Sequence, residues 1–229
     1  MGNSYLLYEM TEFPPPGKNA PLVVPYQQSF LNDDDPPKTS LWFERSLSDK
    51  MYLYKVKHEV RVQRAGRAKG VEFSSFVSPY IFPAYYHQPT QLLMLKASKN
   101  IARGAMRTLT KGGVGVTGEY RKIELQSVRS QVERMRGAWF HVADSANVTS
   151  QGLYGPDIEG DIRFDQALSE GEMSYMLIEY IFREQSFLIG VSRDYAVNIA
   201  RSTSWLDELF ELELVMDVKR RLLDLAVEA

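Results

Sequence analysis

The chain has 229 residues, 44% hydrophobic and 24% charged, a balance that supports a globular core and excludes wholesale disorder. It has no cysteine, which excludes a disulfide scaffold, thiolate zinc sites and a cysteine nucleophile, and fits a reducing cytosol. The net charge of −2 hides a segregation. Residues 51–136 hold sixteen Lys and Arg against five Glu and no Asp, while residues 137–229 hold seven against seventeen Asp and Glu.

Residues 1–45 are expected to form an extended, proline-rich arm packed on the core or on a partner. They hold Pro14-Pro15-Pro16, Pro36-Pro37 and the run Asp33-Asp34-Asp35, and proline disfavours helix and central strands. Their apolar residues, among them Tyr5, Leu6, Leu7, Val23 and Val24, make the segment too hydrophobic for a plain linker. The first ten residues have no basic region or apolar run of signal-peptide type, and no stretch reaches the 18 apolar residues of a membrane span. A cytoplasmic protein without membrane contact is the expectation.

Residues 46–229 are read as one α+β domain of largely antiparallel strands with about three amphipathic helices, split into a basic half (51–136) and an acidic half (137–229). YLYKVKHEVRV (52–62) alternates with period two and predicts a half-buried strand, its Lys55, Lys57 and Arg61 facing away from Tyr54, Val56 and His58. RAGRAKG then reads as a hairpin loop carrying Arg64, Arg67 and Lys69, followed by VEFSSFV and an aromatic, proline-punctuated connection over 79–90. QLLMLKA predicts a buried strand.

Residues 98–113 predict a helix, capped by Ser98 or Asn100 and stopped by Gly112-Gly113. Lys99, Arg103, Arg107 and Lys111 recur every fourth residue, so they fall within about 120° of one another on the helix wheel. Ile101, Ala102, Ala105, Met106 and Leu109 occupy the other side. A second amphipathic helix is predicted over 123–136, then a buried strand AWFHV, a turn-rich hairpin over 147–161, and an antiparallel meander of MSYMLIEYIF, SFLIGV and YAVNI. A helix from Trp205 to about Ala226 closes the chain, with Ser204 and Asp207 resembling a capping box.

No catalytic motif finds its context. Gly113, Gly115 and Gly118 spell GxGxxG, but the motif follows a helix rather than opening one. His58, His87 and His141 lack metal-ligand spacing. Asp157, Glu159, Asp161 and Asp165 cluster, and if extended the first three alternate onto one face that suits Mg²⁺. The Asp-x-Lys that a nuclease needs nearby occurs only as Asp217-Val-Lys219 in the last helix.

The expectation is therefore a non-catalytic nucleic-acid-binding protein, or a subunit of a nucleic-acid-associated complex, with no cofactor or metal. Its phosphate contacts would come from the strand face Lys55, Lys57, Arg61, the loop Arg64, Arg67, Lys69, and the helix stripe Lys99, Arg103, Arg107, Lys111. Arg121, Lys122, Arg129, Arg134 and Arg136 form a fourth basic set. The alternative is an assembly subunit whose opposite-sign faces bind protein or self-associate. A metal-dependent nuclease or other enzyme ranks third.

Overall fold

Proline does not keep the first 45 residues out of the sheet. In the structure, a computed structural model describing residues 2–17, 21–25, 37–68, 70–142, 150–200 and 206–226, that segment supplies three strands: β1 (Asn3–Glu12), β2 (Leu22–Pro25) and most of β3 (Lys38–Ser46). Tyr5, Leu6, Leu7 and Tyr8 are buried in succession, so β1 is covered on both faces. Most of the acidic run's neighbourhood, residues 26–36, lies outside the described residues.

Among the described residues the fold is mostly antiparallel β-sheet with four helices, and it divides into two compact units. One spans Tyr8–Glu119; the other joins Met1–Leu7 to Tyr120–Ala229.

In the first unit β2 and β3 are followed by β4 (Met51–Ala68), β5 (Val71–His87) and β6 (Leu92–Lys96), neighbours in the order β2-β3-β4-β5-β6. The short β7 (Thr117–Glu119) pairs with Glu9–Glu12 of β1. The expected loop and aromatic connection are instead parts of one long hairpin. A bulge between Gln63 and Gly66 keeps β4 in register up to Ala68, and Gly70, at φ +84°, makes the turn. Pro79 and Pro83 are tolerated in β5 because β6 pairs only with residues 84–87. Before that point one side of β5 has no neighbouring strand among the described residues to receive the missing N–H.

The predicted helix with the basic stripe is α1 (Lys99–Lys111), which buries Ala102, Ala105, Met106, Thr108 and Leu109. It crosses the sheet along the paired line Val24, Thr39, His58. A Cβ on Gly104 would lie 2.7 Å from His58 Nε2, and one on Gly112 would collide with Val24. Gly113, at φ +62°, turns the chain out of the helix.

The second unit corrects the helix expected over 123–136. Only α2 (Leu125–Arg129) is helical, because β8 (Met135–Val142) begins early enough to pair Met135 with Ile178. Tertiary pairing overrides the helical spacing of Val128, Val132 and Met135. β9 (Ser150–Tyr154) pairs with β8 rather than forming its own hairpin, and α3 (Ile162–Glu170) occupies a stretch with no predicted element. β10 (Gly171–Phe182), β11 (Gln185–Ser192) and β12 (Ala196–Ile199) form the expected meander. The unit's sheet runs from the first half of β1 through β12, β11, β10 and β8 to β9. α4 (Glu208–Val218) closes it, ending in a π-type turn at Lys219–Leu223. Asp207 stands at its N-cap without a side-chain capping bond, and Ser204 lies outside the described residues.

Helices cover one face of this sheet. Phe164 of α3 packs on Phe140, and Phe210 of α4 on Phe182 and Phe187. The buried Asp217 accepts a 2.7 Å hydrogen bond from Tyr180 and pairs with Arg220 and Arg221.

Candidate nucleic-acid interface

β3 pairs with β4 only between Ser46↔Tyr52 and Thr39↔His58. From Glu59 to Ala68, β4 therefore pairs, among the described residues, only with Val71–Pro79 of β5. This two-stranded ribbon is about ten residues, or roughly 33 Å, long. Opposed residues share a face, so Val60, Val62, Phe76, Ser78 and Tyr80 lie on the His58 side. Arg61, Val77 and Ile81 lie on the reverse. Arg64 sits within the bulge and Arg67 opposite Glu72, both exposed; Lys69 is outside the described residues. Phe76, Val77, Tyr80 and Ile81 are exposed as well.

The expected strand face is partly neutralised within its own unit. Lys55 pairs with Glu44 at 2.9 Å and Lys57 with Glu59 at 2.6 Å. The hydrogen bond from Lys57 holds the Glu59 carboxyl below its ordinary range, and the Lys38 N–H adds to the effect. On α1, Lys99, Arg107 and Lys111 are exposed and Arg103 is half-buried. Among the described residues no ion pair engages Arg107 or Lys111. The helix lies on the His58 side of β4, whereas Lys55, Lys57 and Arg61 project from the reverse, so the sheet separates stripe from strand face.

Three residues of the fourth basic set meet acids of the acidic half inside the second unit. Arg129 bonds Glu159 at 2.8 Å, while Arg134 and Arg136 share Oε2 of Glu179 at 3.3 and 2.7 Å.

Three of the clustered acids are engaged locally. Glu159 is taken by Arg129, and Asp157 accepts from the Glu159 N–H. Asp161 caps α3 through the Arg163 N–H, and the Arg163 side chain and N–H together bring its carboxyl down to about 2. Residues 155–161 turn rather than extend, and among the described residues no three His, Asp or Glu converge on a metal position. Burial keeps His58 below its ordinary value, and its Nδ1 meets the Thr39 hydroxyl at 2.7 Å. His87, also lowered by burial, meets Thr90 at 2.7 Å. A hollow of about 200 Å³ beside Leu125 and Met173 is lined by Glu172 and Arg193, which pair with each other.

No family model and no curated protein matches this chain.

The residues that sequence reasoning passed over are Trp139, Tyr154 and Tyr175 on the uncovered face of the second unit's sheet. Their signal was the repeat glycine-x-aromatic in Gly137-Ala-Trp139 and Gly152-Leu-Tyr154.

Proposed function

We propose that the chain is a non-catalytic nucleic-acid-binding protein, or a subunit of a nucleic-acid-associated complex, working in the cytoplasm. The observation that carries this reading is the β4–β5 ribbon, which presents Arg61, Arg64 and Arg67 on a backbone that no third strand borders among the described residues. A two-stranded ribbon is narrow enough to follow a nucleic-acid groove, and its arginines supply fork-shaped donors for phosphate. Arg107 and Lys111 of α1 add exposed cations in the same unit. Lys55 and Lys57 contribute less, because Glu44 and Glu59 already engage them.

Each neutralised phosphate releases counterions, so binding has a salt slope set by the number of contacts. With about five phosphate contacts, log K falls with log salt at a slope of about −3.5 for a labelled single strand and about −4.5 for a duplex. Arg64→Glu with Arg67→Glu reduces either slope by about two. Absence of binding by micromolar protein at low salt removes the reading.

A second reading has its own observation. Phe76, Val77, Tyr80 and Ile81 place exposed apolar surface on both faces of the ribbon, which suits a protein partner or self-association. Loss of self-association in the ribbon variant, with oligonucleotide binding unchanged, selects this reading over the first.

A further inference from the structure

Among the described residues the sheet of the second unit carries helices on one face only. α3 and α4 pack over Phe140, Tyr180 and Phe182. The strand residues between these point the other way, and there the sheet is floored by glycine. Gly137 and Gly152 flank Trp139, with Cβ positions 3.2 Å from its Cζ3 and 2.9 Å from its Nε1. Gly190 lies beneath the Tyr175 ring, which meets Trp139 edge to face at 5.1 Å. Glycine at these positions lets the rings lean over neighbouring strands instead of standing clear of them.

Two aromatic rows result. Tyr154 pairs with Gly137, and Trp139 pairs with Gly152, two residues along the strands. With two residues of offset along the strands and one strand spacing across the sheet, the two positions are diagonal neighbours about 7–8 Å apart. His141, exposed and opposite Ser150, supplies a third ring two residues further along β8. Tyr154 is 72% exposed and Trp139 36%, so ring surface is available to a ligand.

Charge marks one end of the rows. Arg136 donates to the Pro156 carbonyl, two residues from Tyr154, and shares the Glu179 carboxylate with the half-exposed Arg134. Two guanidiniums on one carboxylate leave a net positive charge there. Many of the unit's acids lie elsewhere: Asp161, Asp165 and Glu170 at α3, and Glu208, Glu211, Glu213 and Asp217 on α4, the helices of the opposite face.

We propose that this face binds a single-stranded nucleic acid, with consecutive unpaired bases on Tyr154 and Trp139 and a phosphate at Arg134. The proposal rests on the nucleic-acid reading and specifies its ligand as unpaired. Exposed ring faces on an open sheet surface take unpaired bases, whose faces a duplex keeps within its own stack.

The test uses the full chain, fluorescein-labelled U12 and dT12, and a labelled 12-base-pair duplex, with affinities read by anisotropy at low salt. Base–aromatic stacking is worth about 1–3 kcal/mol per ring, so Tyr154→Ala weakens U12 or dT12 about 5- to 100-fold. Trp139→Ala does the same, Trp139→Phe stays within about threefold of the wild type, and the duplex affinity does not move. Tyr154 is exposed enough that its loss leaves the fold intact, which keeps the test decisive even where Trp139→Ala fails to fold. Wild-type affinity for both single strands in Tyr154→Ala, alongside loss in Arg64→Glu/Arg67→Glu, overturns the platform and leaves the broader function standing. Loss of self-association in Tyr154→Ala without change in oligonucleotide affinity makes the face a protein contact and also overturns it. No binding of any oligonucleotide by the wild type overturns both.

Discussion

Lys57 shows at the scale of one residue why counting cations overstates an interface. Its ammonium lies 2.6 Å from Glu59 Oε1, a neighbour two positions on and therefore on the same strand face. That pairing is legible in the sequence once the strand is assumed. The bond between Arg136 and Glu179 is not, since 43 residues separate them and only the pairing of β8 with β10 brings them together. Asp217 belongs to the same class. Burial pushes its carboxyl up, but hydrogen bonds from Tyr180 and Arg220, with Arg221 nearby, hold it below its ordinary value. Tyr180→Phe removes one donor to a buried carboxylate. It should lower unfolding free energy by about 1.5–3 kcal/mol, read as a shift in urea midpoint at constant slope. An unchanged midpoint would show that the arginines alone satisfy Asp217.

At the scale of elements, the strands were easier to read than the helices. The alternation of YLYKVKHEVRV and the meander of β10, β11 and β12 carry their own period. α2 stopped short because Met135 serves the sheet, and α3 was hidden because its cap, Asp161, sits in an acidic cluster that reads as loop. The contact of α1 with β4 offers a titration. His58 is buried beneath Gly104 and held below its ordinary value by burial, against the opposing pull of Glu59. The unfolded chain then takes up a proton near pH 6.5 that the folded chain accepts only at lower pH. Stability from this site is complete above about pH 6.5 and declines as the pH falls through the folded value. His87, lowered by burial and by Lys50, acts in the same direction. The thermal midpoint should drop between pH 8 and 5.5, and His58→Gln should flatten the drop. A His58→Gln profile as steep as the wild type's would remove His58 from this role.

The whole molecule divides its charge differently from the way the sequence does. By residue number the basic block ends at 136, but Arg129 and Arg136 are spent on Glu159 and Glu179 of the second unit, and Arg134 shares Glu179 with Arg136. The cations left for a partner concentrate in Tyr8–Glu119, at the ribbon and on α1. These two places are linked geometrically, since α1 crosses β4 at His58 and the ribbon begins at Glu59. On the proposed nucleic-acid reading, phosphate contacts at the two places are separate, and contributions from separated sites add. Arg64→Glu with Arg67→Glu, and Arg107→Glu with Lys111→Glu, should each reduce the salt slope by about two. The four changes together should reduce it by about four. If the α1 pair leaves the slope untouched, the stripe that stands out in the sequence is a solvated helix face and the ribbon alone meets the phosphates.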